Sequence, residues 1–219
     1  SRYRIPGGQR YQLPSPLTVE GDWSSAAFFL CAGAMSREGI TVDGLSLPTR
    51  QGDSALLPLL RQMGAEVNLS SGCITVRKGR LRATGIDARP IPDLIPPLSV
   101  LAAAAEGGSH IQNARRLRYK ESDRLQGIAE LLNSLGGCLT VDGDGLLIHG
   151  VSHLQGGTVD PMGDHRLAMS AALAALSADA PVTVRDADCV SKSYPAFWAD
   201  FQSLKGEAPC PAPSETPSV

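Results

Sequence analysis

The sequence predicts an α/β (α+β) fold with threefold internal repetition. Gly8, Gly79 and Gly150 recur at intervals of 71 residues, and so do Asp22, Asp93 and Asp164. Two unrelated residue types sharing one period mark repeated units. Three such units account for 213 of the 219 residues. Each unit also carries a nearly all-apolar helical segment between short β-rich runs, the pattern of helices buried beneath small sheets.

Each unit opens on a short strand, at Arg4-Ile5, Thr75-Val76 and Leu147-Ile148. A glycine turn and a second extended stretch follow, ending near the repeated Asp. The apolar helices come next, over Ser24 to Met35, Leu94 to Ala105 and His165 to Ser177. Being apolar on every side, they belong inside. Pro96 and Pro97 place the start of the second near themselves. Short strands follow at Ile40 to Val42, His110 to Gln112 and Val182 to Val184. The next helix is amphipathic. In unit two Leu125, Ile128, Ala129, Leu132 and Leu135 fall on one face. Leu56, Leu59, Leu60 and Met63 match them in unit one, and Phe197, Phe201 and Leu204 in unit three. Pro58 predicts a late start or a kink in its helix. Closing strands follow at Ala65 to Leu69 and Cys138 to Val141. Unit three has none, which suggests that another segment of the natural protein supplies it. The expected architecture is one pseudo-threefold domain over residues 1–205, with three parallel helices inside and small sheets outside. The Pro/Ser-rich residues 206–219 are expected to be a disordered tail.

Composition narrows the function. Hydrophobic residues make up 42% and charged residues 19%, ordinary for a soluble globular protein. A net charge of −2 argues against nucleic-acid binding by bulk charge. The apolar run Ala26 to Ala34 is half the ~18 residues a membrane span needs. The opening Ser1-Arg2-Tyr3-Arg4 has neither a signal-peptide pattern nor an initiator Met, and is read as a processed chain or a fragment. Five scattered cysteines without a metal-ligand spacing fit a reducing cytoplasm and no metal.

The repeat acts as an internal control: what all units share is architectural, and what one unit carries alone is a candidate for chemistry. The shared Asp reads as a helix N-cap; Asp93 could be both a cap and a site residue. Arg118 to Arg124 has no counterpart in the other units. At a helix start, Lys120 and Glu121 share a face with Arg124, giving an anion site beside an acid/base group or a capped, solvated ion-pair face. Asp164-His165-Arg166 opens the third apolar helix with charges too costly to bury unpaired. Lys192 follows Lys120 by 72 residues, so two of only four lysines fall at equivalent places. Helix N-termini gathered by the threefold would join Lys120, Arg124, His165, Arg166 and Lys192 on a face that attracts a phosphate or carboxylate anion.

The segments GDWSSAAFFLCAGA, IPD, RYKESDRL, GDHRLAM and CVSKSYPAFW, in this order, resemble the C-terminal half of the 5-enolpyruvylshikimate-3-phosphate synthase family from about Tyr3 to Leu204. The resemblance implies an inside-out barrel of βαβαββ repeats. It implies transfer of the enolpyruvyl group of phosphoenolpyruvate to the 5-hydroxyl of shikimate 3-phosphate, with release of phosphate and no cofactor. By the same resemblance Asp93 accepts the 5-hydroxyl proton and contacts shikimate 3-phosphate, and Glu121 donates a proton to the methylene carbon. Lys120 would contact shikimate 3-phosphate. Arg124, Arg166 and Lys192 would hold phosphoenolpyruvate, with His165 close by. Arg116 stands where some members have Asn, and Ser193-Tyr194 where Thr-Phe is commoner. The family's N-terminal lobe, with its catalytic Lys and most of the shikimate-phosphate site, would be the required partner. Its extreme N-terminus crosses back to complete this domain. Two alternatives are a lobe of UDP-N-acetylglucosamine enolpyruvyl transferase and a non-catalytic anion-binding remnant.

Overall fold

The computed structural model describes residues 2–12, 15–70 and 72–204. In chain order its elements are α1 (Trp23–Met35), β1 (Ile40–Val42), α2 (Leu56–Gln62), β2 (Glu66–Ser70), β3 (Cys73–Arg77) and β4 (Gly85–Asp87). There follow α3 (Ile95–Ala103), β5 (Gly108–Gln112), α4 (Arg124–Ser134), β6 (Cys138–Asp142), β7 (Gly145–His149) and β8 (Gly157–Val159). The last are α5 (His165–Ala174), β9 (Val182–Val184) and α6 (Phe197–Ser203).

The chain is an α/β protein. Helices α1, α3 and α5 pack against one another. They are buried almost throughout, as apolar surface on every side of a helix requires. Their few buried hydroxyls are satisfied within the helix, Ser99 Oγ donating to the Ile95 carbonyl and Ser170 Oγ to that of Arg166. The sheets lie around them in the orders β1-β3-β2, β4-β5-β7-β6 and β8-β9. The strand that opens one unit pairs with two strands of the unit before: β3 lies antiparallel to both β1 and β2, and β7 to both β5 and β6. Neighbouring units are thereby stitched together. Pro58 lies in the first turn of α2, behind a 3₁₀ turn at Gly52–Ala55, so that helix does start late.

The opening strand expected at Arg4-Ile5 is not formed. Tyr3 and Ile5 are 90% and 85% exposed, and the segment is irregular. A strand forms only against a partner that takes its N–H and C=O groups, and among the described residues no ladder reaches this segment. Residues 206–219, expected as a tail, lie outside the described residues.

Two of the three periodic glycines have a packing cause, whereas Gly8 has open space around it and a φ of +74°. A Cβ on Gly150 would lie 1.6 Å from the Ala105 carbonyl oxygen, and one on Gly79 would lie 2.0 Å from that of Gly64. Both let a strand end cross the backbone beyond a helix. Gly150→Ala is therefore expected to lower the unfolding free energy by about 1–3 kcal/mol, as overpacking does. Denaturant melts would measure it. An unchanged midpoint would remove close approach as the reason for the periodic glycine.

The scarce aromatic residues are concentrated in one place. All four Phe, with Tyr194 and Trp198, form a cluster joining α1 and α6. Phe29 meets Tyr194, Phe197 and Phe201 at centroid separations of 5.8–6.2 Å. Trp198 Nε1 donates to the Ala187 carbonyl and the Tyr194 hydroxyl to Asp200. Apolar area with both polar tips satisfied makes a firm seat. It anchors the 3₁₀ segment Ala187–Lys192, whose last residue reaches the site described next.

Candidate active site

The heads of α1, α3 and α5 meet at one end of the molecule, where capping decides the local chemistry. Asp22 caps α1, accepting from the Ser24 and Ser25 N–H groups. Asp164 caps α5, accepting from the Arg166 N–H at 2.9 Å. Gly163, with a φ of +67°, turns the chain into that cap, a conformation side-chain-bearing residues avoid. Asp93 breaks the pattern. It lies within a 3₁₀ turn, Pro92–Leu94, and α3 begins after it without any side-chain cap. The expected third cap is thus replaced by a carboxylate free to face other side chains.

Those side chains are cations. Lys120 Nζ lies 3.0 Å and Arg124 Nη1 2.9 Å from Asp93 Oδ1, with Arg166 Nε at 3.6 Å. Arg166 Nη1 also donates to the Asp93 carbonyl at 3.4 Å. Burial tends to raise the Asp93 pKa, but Arg166, Lys120 and Arg124 outweigh it and hold the carboxyl below its ordinary value.

Arg124 is the hub. It is 1% exposed, as is possible for a guanidinium only when its donors are met. Its Nε donates to Asp164 Oδ2 at 2.7 Å, and Nη2 donates to Asp164 Oδ1 at 3.2 Å. Nη2 also donates to Glu121 Oε2 at 2.5 Å, while Nη1 serves Asp93. Asp164 is wholly buried and receives the Ser122 hydroxyl as well. Burial works against its ionised form, but its bonds to Arg124 prevail and lower its pKa. The helix expected to begin around Lys120 begins instead at Arg124, with Asp123 as its N-cap. Lys120 and Glu121 therefore sit in the preceding turn, where the backbone can aim each independently. Glu121 faces Arg124 on one side and Lys192 Nζ, at 3.5 Å, on the other. Burial pushes its carboxyl up; its own backbone N–H, Arg124 and Lys192 bring the balance below the ordinary value.

His165 opens α5 at 5% exposure, and its Nδ1 is buried without a hydrogen-bond partner among the described residues. Burial first, and then Arg166, lower its pKa, favouring the neutral ring. All seven residues expected at the site are thus brought to one mouth. The mouth is not the cationic face the sequence suggests, however. Lys120, Arg124, Arg166 and Lys192 are met by Asp93, Glu121 and Asp164, with Asp22 and Asp53 also acting on Arg166.

Two participants escaped the sequence reading. Asp164 looked like a shared cap, and its carboxylate proves also to hold Arg124. Asp53, in the 3₁₀ turn Gly52–Ala55 ahead of α2, carries no motif signal. The Ser24 hydroxyl donates to Asp53, and burial raises its pKa, with Asp93 and Asp22 adding to the rise. A carboxyl whose folded-state pKa is raised costs stability above that pKa and recovers it as pH falls. Asp53→Asn keeps an acceptor for Ser24 and is expected to raise the melting temperature at pH 7. That advantage should shrink towards pH 4. A variant less stable than the parent at pH 7 would show that Asp53 is held by favourable charge instead.

Among the described residues no cluster of three or more His, Cys, Asp or Glu could hold a metal ion, and no helix is long and apolar enough to cross a membrane.

Comparison with known proteins matches residues 1–201 to the family model of EPSP synthase (3-phosphoshikimate 1-carboxyvinyltransferase). The 3-phosphoshikimate 1-carboxyvinyltransferase of Clostridium kluyveri is 42% identical over 210 residues, covering 94% of this chain and 49% of that protein. That of Methanocella arvoryzae is 46% identical over 204 residues, covering 92% and 48%. The EPSP synthase structure from Acinetobacter baumannii superposes with a TM-score of 0.75 at 30% identity, over 86% of this chain and 46% of that one. The chain spans about half the length of the curated relatives it matches.

Proposed function

Since the chain belongs to the EPSP synthase (3-phosphoshikimate 1-carboxyvinyltransferase) family, we propose that it is the C-terminal lobe of an enzyme moving the enolpyruvyl group of phosphoenolpyruvate to the 5-hydroxyl of shikimate 3-phosphate. Residues 1–205 form one inside-out barrel of βαβαββ repeats in this reading, completed by the N-terminal lobe of the same enzyme. The observation that carries it is the pairing of two carboxylates, Asp93 and Glu121, through one buried guanidinium, with lysines at both outer edges.

The reaction needs a base at one oxygen and an acid at one carbon. Asp93, kept ionised by its three cations, takes the proton of the 5-hydroxyl as that oxygen bonds to C2 of phosphoenolpyruvate. Glu121 delivers a proton to the C3 methylene, making a methyl group and avoiding a free carbanion. The phosphate then leaves with its bridging oxygen as C3 gives a proton back, restoring the double bond. Lys120 holds shikimate 3-phosphate. Arg124, Arg166 and Lys192, with His165 beside them, hold the phosphate and carboxylate of phosphoenolpyruvate through fork-shaped and point-charge contacts.

Phosphate release by the chain supplied with the N-terminal lobe tests this reading. Turnover is expected with shikimate 3-phosphate and not with UDP-N-acetylglucosamine. Turnover with the nucleotide sugar alone would overturn it, and an inert pair would favour an anion-binding remnant.

A further inference from the structure

At the mouth, a carboxylate of the chain itself already engages the cations that a substrate anion would use. Glu121 presents one carboxylate oxygen to Arg124 Nη2 at 2.5 Å and the other to Lys192 Nζ at 3.5 Å. It spans a cation buried to 1% exposure and one that is 58% exposed, so a route from solvent to its outer side is open. We propose that Glu121 is a built-in ligand mimic: an incoming phosphate or carboxylate displaces it from Arg124 and Lys192, and the displaced carboxylate takes up a proton from solvent. The proposal deepens the reading above by supplying the step that loads the acid.

The chemistry requires such a step. A proton donor must be protonated when its substrate arrives, yet its own backbone N–H and the contacts with Arg124 and Lys192 favour the ionised form of Glu121. An anion that binds those cations removes both contacts and adds a negative charge nearby, and each change favours the protonated form. What then faces Glu121 points the same way: Asp164 at the head of α5 repels a second negative charge, and burial disfavours it. Burial and Arg166 incline His165, on the same turn, towards the neutral form. Asp93 and Asp164 keep their bonds to Nη1 and Nε, so Arg124 stays anchored while Nη2 changes partner. The displaced side chain lies in the turn before α4, outside the helix proper, and is free to swing without unwinding it.

Sulfate, which stays fully ionised from pH 5 to 8, is the probe. Calorimetric titration of the chain in two buffers of different ionisation heat should show uptake of a fraction of one proton per sulfate, growing as pH falls from 7 towards 5. Glu121→Gln should abolish that uptake and tighten sulfate binding by about fivefold or more, the worth of a partly buried ion pair. Asp123→Asn removes the same charge two residues away and keeps a competent helix cap. It should change affinity by less than about twofold and leave the proton uptake in place. Should the parent chain bind sulfate too weakly to measure, the proposal still requires Glu121→Gln to bind it measurably. Unchanged or weaker binding by Glu121→Gln, or proton uptake that survives the substitution, overturns the proposal. Failure of the enzymatic reading would look different: no turnover with the second lobe, with sulfate exchange intact.

Discussion

Asp164→Ala is expected to lower the unfolding free energy by about 3–5 kcal/mol, the range for removing one partner of a buried ion pair. Arg124 would keep Asp93 and Glu121 but lose both bonds to Asp164, at 2.7 and 3.2 Å, while remaining 1% exposed. The Ser122 hydroxyl and the N-cap of α5 lose their acceptor together, the cap alone being worth about 1 kcal/mol. Against a total of about 5–15 kcal/mol for a domain, this is a large share. Urea unfolding measures it. Asp164→Asn keeps a cap acceptor and loses only the charge, so it should fall between parent and alanine variant and remain measurable if the alanine chain does not fold. Replacing both partners, as Arg124→Met with Asp164→Leu, should recover much of the loss, because no uncompensated charge remains. A loss below about 1 kcal/mol for Asp164→Ala would reduce Asp164 to an ordinary cap.

The same residues set the acid limb of stability. Asp93, Glu121 and Asp164 all have folded-state pKa values below their ordinary 3.8 or 4.5. They contribute stability above those values and lose it as pH falls through the depressed ones. His165, depressed from 6.5, acts in the same direction at higher pH: the unfolded chain takes up its proton first, so that contribution begins to fade below 6.5.

The scaffold was the legible part of the sequence because hydrophobic periodicity and glycine geometry are local. Ile40 to Val42 and Val182 to Val184 form strands with the expected bounds, and the apolar helices lie within a residue or so of their expected starts. Arg4-Ile5 shows the limit of that reading. Its pattern is a strand pattern, but pairing is a tertiary event, and among the described residues no ladder reaches it. The site was legible as a set of residues and illegible as a circuit. Charge spacing brought out Lys120, Glu121 and Arg124, yet it could not show that Arg124 closes on Asp164, 40 residues away, through helix heads brought together by packing. The shared Asp was informative for the wrong reason. One period placed three carboxylates at equivalent positions, and only two of them cap a helix. The third, Asp93, is released by the 3₁₀ turn that Pro92 opens, a difference of a few backbone dihedrals that the repeat conceals.

Glu121→Gln should lower kcat by about 10²–10⁴-fold when the chain works with its N-terminal lobe, the range for losing a general acid. The amide cannot protonate a carbon, while its size and its contact with Arg124 are nearly kept. Substrate affinity should move the other way, because the displaced group no longer carries a charge that competes with phosphoenolpyruvate. Loss of kcat with unchanged or lower KM is a signature that a merely misfolded site would not give, since misfolding weakens binding and turnover together. Glu121→Asp, which retains an acid one methylene short, should restore part of the rate, and its pH profile should keep an acid limb that the glutamine variant lacks. Phosphate release followed across pH 5–9 for the three proteins is the measurement. If the glutamine variant turns over within about tenfold of the parent, the proton reaches the methylene carbon from another group, and His165, whose Nδ1 is buried and unpartnered among the described residues, becomes the next candidate.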